Sequence, residues 1–96
     1  MKNTVAPEYA ETVALRALAW LMAEDDQRGA FINLSGLSPD DLRARAGTSE
    51  ILLAVVDFVL GDDARVVAFC DSAGLRYDAL MSVRSALPGG AEYNWT

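Results

Sequence analysis

Apolar and polar positions fall into short blocks of helical period, separated by glycine, proline and paired acids. From Tyr9 to Ala23 the chain reads YAETVALRALAWLMA, with frequent alanine and no glycine. Val13, Ala17 and Leu21 share one face, and Leu15, Leu18 and Met22 widen it into a broad apolar stripe. Pro7 suits the first turn of this helix, with Glu8 and Glu11 near the positive end of its dipole. Glu24-Asp25-Asp26 interrupts the pattern. Asp25 or Asp26 is then expected to cap a short helix from Gln27 to Ser35 carrying Ala30, Phe31, Ile32 and Leu34. Gly36 is placed to close it with positive φ, and Leu37 to pack back on Ile32 as in a Schellman ending.

Ser38-Pro39-Asp40-Asp41 is a strong helix start. Ser38 caps, Pro39 takes the first helical position, and Asp41 stands where a capping box needs its acid. Leu37 and Leu42 fit a hydrophobic staple. This third helix is short and ends at Gly47. Thr48 or Ser49 caps the fourth, whose ILLAVVDFVL sets Leu52, Val55, Val56, Val59 and Leu60 on one broad face. Its β-branched density also suits a strand, but its length, cap, Glu50 and the Gly61 stop favour helix. Asp62 or Asp63 starts a fifth helix with Val66, Val67, Phe69 and Cys70, ending at Gly74. A sixth is predicted from about Arg76 to Leu87, before Pro88-Gly89-Gly90.

A shift of 38 positions overlays residues 13–42 on 51–80. Asp25 falls on Asp63, Phe31 on Phe69, Gly36 on Gly74, Leu37 on Leu75 and Leu42 on Leu80; Trp20 falls on Phe58. The shared joint F-x4-G-L-x2-D-x-L encodes a helix end, a closing glycine, a leucine for both flanking helices and the next start. Gly36, Leu37, Ser38, Gly74 and Leu75 are therefore the structural residues on which the architecture is expected to turn. The expectation is an all-α fold, a compact bundle of five or six short helices, organised as two pseudo-repeated units. Residues 1–6 read as a flexible N-terminal tail, 7–90 as a single helical domain and 91–96 as a C-terminal tail.

The order ALRALAWL, F-x-x-L-S-G-L-S-P-D-D-L-R, AVVDFVL, AFCDSAGL and SALPGG resembles an uncharacterised alphaproteobacterial family, domain of unknown function 3572. The resemblance covers most of residues 10–90. It implies a small helical intracellular bacterial protein and carries no activity, substrate or site residue.

Composition narrows the chemistry. The 96 residues suit one domain with one modest core. There is no histidine and a single cysteine, Cys70, so imidazole sites, His-based general bases and an internal disulfide are all absent. Eight basic and 14 acidic residues leave a net charge of −6, which disfavours phosphate backbones and anionic membranes. No nucleic-acid partner, membrane partner or cofactor is expected, and the expected setting is the reducing cytoplasm. The pairs Asp40-Asp41 and Asp62-Asp63 lie at helix starts, where capping explains them without a metal. Cys70 sits near a helix C-terminus and reads as a small buried hydrophobe, since the dipole there opposes a thiolate.

Asp57 is the one polar residue inside an apolar run. It is expected either solvated on a partly exposed face with Glu50, or paired with Arg16 or Arg65. Tyr77, Tyr93 and Trp95 are candidate interface aromatics. Residues 39–60 have the outline of a helix-turn-helix, but EILLAVVDFVL carries no Arg, Lys, Asn or Gln to read bases. A non-catalytic protein-interaction or accessory protein ranks first. A small enzyme or ligand-binding protein with a carboxylate-lined pocket ranks second, and helix-turn-helix DNA binding is disfavoured. Homodimerisation stays open.

Overall fold

The computed structural model describes residues 5–89. These form six helices and no strand: α1 (Pro7–Ala23), α2 (Asp25–Ser35), α3 (Pro39–Arg45), α4 (Ser49–Leu60), α5 (Asp63–Ala73) and α6 (Ala79–Ala86). The sequence tail 91–96, with Tyr93 and Trp95, and most of the tail 1–6 lie outside the described residues.

α1 and α4 are the central elements. α6 packs on both, α2 lies along α1, and α5 lies along α4. α4 buries Ile51, Leu52, Val55, Val56, Phe58 and Val59, six of its twelve residues. α1 contributes Ala10, Val13, Ala14, Ala17, Leu18 and Leu21; its small alanines let neighbouring helices approach closely. Leu15, assigned to the buried stripe by spacing, is exposed. The buried arc of α1 is centred on Val13–Ala17–Leu21, and Leu15 points away from it. Val67 is exposed for the same reason, since α5 turns only Phe69 and Cys70 fully inward. Among the described residues no polar or charged residue is buried, and no buried side-chain polar atom lacks a partner.

The helix ends follow local chemistry closely. The Ser38 hydroxyl accepts from the Asp41 amide at 3.0 Å, and the Asp41 carboxylate accepts from the Ser38 amide at 3.3 Å, a complete capping box with Pro39 in the first turn. Thr48 accepts from the Ile51 amide, and Asp62 from the Ala64 amide at 2.8 Å. Gly36 and Gly74 both close their helices in the left-handed region, at φ 74° and 71°.

Three expectations need correction. α2 begins at Asp25, two residues before Gln27. Glu24 is the extended residue ahead of it and makes no side-chain cap; Asp25 and Asp26 occupy the first turn, where the dipole favours them. α6 begins at Ala79 and not near Arg76. Arg76 places Nε and Nη2 each 3.1 Å from the Asp78 carboxylate, which is thereby held away from the capping position, and a turn joins the Ala79 amide to the Arg76 carbonyl. The two glycine joints also differ. At Gly74 the Leu75 amide reaches back to the Cys70 carbonyl at 2.9 Å, the Schellman bond. At Gly36 the Gly36 amide bonds Ile32 at 2.9 Å, but the Leu37 amide goes to the Ser35 hydroxyl at 3.1 Å. Ser35 intercepts that amide; Ala73, its counterpart 38 residues on, has no hydroxyl to do so.

Candidate functional site

The face between α2 and α4 holds an apolar depression of about 260 Å³, lined by Phe31, Leu34, Ser35, Ala54, Asp57 and Phe58. Helical spacing assembles it. Phe31, Leu34 and Ser35 are related by steps of three and four on α2, as are Ala54, Asp57 and Phe58 on α4. Phe31 and Phe58 meet edge to face, with centroids 5.3 Å apart, and form the floor. Leu34 stands on the lip and is 73% exposed, the largest exposure among the big apolar side chains of the described residues.

Arg65 reinforces the floor from α5. Its guanidinium carbon lies 3.9 Å from the Phe58 ring centroid, its Nε donates to Gln27 Oε1 at 3.0 Å, and its Nη1 donates to the Phe58 carbonyl at 3.2 Å. One side chain thus ties α5 to α2 and to the C-terminal end of α4, whose last carbonyls need donors.

Asp57 is placed on the rim, with its side chain 50% exposed. Its partner is neither Arg16 nor Arg65. Arg84 of α6 donates from Nε to Oδ1 at 2.5 Å and from Nη2 to Oδ2 at 3.4 Å. Arg16 instead crosses from α1 to donate to the Ala73 carbonyl at 3.1 Å. The partnership with Arg84 spans 27 residues and two joints, so no local pattern announces it.

The other predicted residues scatter. Tyr77 is exposed and donates to Asp71 Oδ1 at 2.8 Å, far along the chain from the depression; that bond pushes its phenol pKa up. Leu37 and Leu75 are half-buried against the core beside Gly36 and Gly74, and Ser38 acts as the cap already described. Cys70 is fully buried, and burial, with the nearby Asp71 and Asp78 carboxylates, holds its thiol above the ordinary range. Among the described residues no group of three or more Cys, Asp or Glu side chains is placed to hold a metal. No helix among them is long and apolar enough to cross a membrane. Leu34, one of the four apolar residues of α2, stands outside the core: the α2 stripe is narrow, and Phe31 alone on it is fully buried.

The 38-residue shift carries contacts as well as letters. Trp20 meets Phe69 at 5.7 Å between centroids, and the shift turns this pair into Phe58 with Phe31. It also turns the Arg16 contact with Ala73 into Ala54 beside Ser35, two residues that line the depression. α2 and α5 begin and end 38 residues apart, whereas α3 and α6 do not keep that offset.

These features define an all-α protein, with six short helices among the described residues and a lipped apolar depression between α2 and α4. The DUF3572 family, described as protein of unknown function, matches residues 7–90, and the chain belongs to that family. No curated protein and no solved structure matches it.

Proposed function

We propose that this is a small non-catalytic interaction or accessory protein of the cytoplasm, which receives an apolar helix of another protein on its α2–α4 face. The observation that carries the reading is Leu34, a leucine 73% exposed on the lip of an aromatic-floored depression. A large apolar side chain held in water beside apolar walls gains free energy when a partner covers both. A polar rim, here Asp57 with Arg84, is the usual border of such a contact.

A ligand-binding role is the second reading, favoured by the Asp57 carboxylate on the rim. Two features weigh against it. The depression is smaller than the roughly 300–1,000 Å³ typical of small-molecule sites, and Arg84 already engages the carboxylate. DNA binding is supported least, because α4, the would-be recognition helix, spends half its residues in the core.

Affinity capture from the native bacterium with wild type and Leu34→Asp in parallel tests the proposal. The expected result is a protein retained by wild type and lost from Leu34→Asp, with both variants equally folded. A partner held equally by both overturns the assignment of this face. Light scattering at two concentrations identifies the case in which the captured protein is a second copy.

A further inference from the structure

We infer that the partner inserts a cationic side chain, an arginine, into the α2–α4 depression. The inference rests on the docking role proposed above and adds the chemistry of the docked residue. At the α1–α5 joint, Arg16 lies past the Trp20–Phe69 pair and donates to the Ala73 carbonyl, the last of α5. At the α2–α4 joint the ring pair recurs as Phe58–Phe31, but Ala54 stands in the register position of Arg16 and its side chain ends at the β-carbon. The depression is the space an arginine stem would occupy.

The electrostatics of that space also favour a cation. Ser35, on its wall, is the last residue of α2, where the carbonyls carry the negative end of the helix dipole. The Leu37 amide, which in a Schellman ending would reach back to the α2 carbonyls, goes to the Ser35 hydroxyl instead. Asp57, where the α1–α5 joint has Ala19, is already paired with Arg84, so the helix end and not this carboxylate supplies the attraction. The two guanidinium groups nearest the site, Arg65 and Arg84, are engaged with Gln27 and the Phe58 carbonyl and with Asp57. The floor of Phe31 and Phe58 accepts the methylenes of an arginine stem, and the planar head meets the helix end.

Two measurements test this on the full chain. The first compares Ala54→Arg with Ala54→Met, which fills the same space without charge. The arginine variant is expected to have a folding equilibrium constant about two- to fivefold above the methionine variant, with the gap narrowing in high salt. The second titrates doubly blocked arginine amide, with blocked norleucine amide as control, and follows backbone amide NMR shifts. The arginine probe is expected to move Ser35, Ala54 and Phe58 saturably and the control to leave them, and Ala54→Arg should abolish the effect. Equal stability of the two variants, together with equal responses to the two probes, overturns the arginine inference. Should Ala54→Arg and Ala54→Met both abolish partner capture in that case, the docking face stands without it. If instead the arginine probe binds while Ala54→Arg leaves capture intact, the cation site stands and the docking role falls.

Discussion

Replacing glycine by alanine at three positions should move stability in opposite directions. Gly36 and Gly74 sit at φ 74° and 71°, and a β-carbon built on either meets no atom within 4 Å. Crowding therefore contributes nothing, and the cost is the left-handed backbone itself, about 1–2 kcal/mol. Stiffening the unfolded chain returns roughly 0.4–1 kcal/mol. Each variant should lose about 1 kcal/mol, which for a domain this size lowers Tm by about 4–8 °C. Gly29 also has open space around it, but it lies inside α2 with φ outside the left-handed region. There Gly→Ala should gain about 0.5–1 kcal/mol, because alanine gives up less backbone entropy in a helix. Urea and thermal unfolding followed by far-UV circular dichroism measure all three. A Gly36→Ala or Gly74→Ala protein as stable as Gly29→Ala would refute the account of the two joints.

Ser38→Ala should cost about 1 kcal/mol in the same urea assay, since it removes the acceptor for the Asp41 amide and with it the capping box of α3. Arg65→Ala should cost about 2–3 kcal/mol by loss of two charged hydrogen bonds and the contact with Phe58, and Arg65→Lys should recover only part, having no planar fork. Cys70 should resist iodoacetamide at neutral pH in the folded protein, and rapid alkylation would contradict its burial. Because its folded thiol holds its proton to higher pH than the unfolded one, the folded state binds more protons in that range. Its contribution to stability is intact below the ordinary thiol pKa, about 8.5, and declines as pH rises past it; Cys70→Ala should reduce that decline in urea midpoints.

What could be read from the chain was whatever local chemistry decides. Ser38, Pro39 and Asp41 needed only each other to specify a helix start, and the positive φ of Gly36 and Gly74 followed from their place after apolar runs. Local pattern does not decide the outcome where a side chain has two nearby partners. Asp78 could cap α6 or bind Arg76, and binding Arg76 delayed the helix by three residues. Ser35 could face solvent or take the Leu37 amide, and taking it changed the joint. The candidate site was harder still. Asp57 stands out as the polar break in an apolar run, but its partner Arg84 comes from a helix that only the tertiary fold brings near. Leu34 is letter for letter a core leucine, and its exposure depends on which neighbours α2 does and does not acquire.

An interior built wholly of hydrocarbon, with the thiol of Cys70 as its one heteroatom-bearing side chain among the described buried residues, has a consequence for ancestry. Such interiors accept compensating swaps of volume, so their letters drift quickly while the shape persists. Glycine hinges, hydroxyl caps and their carboxylate mates cannot drift in that way, because each answers a stereochemical demand that few residue types meet. Remote kin of this molecule should therefore betray themselves by the rhythm of their punctuation, two glycine–leucine steps 38 residues apart, long after the words between have changed.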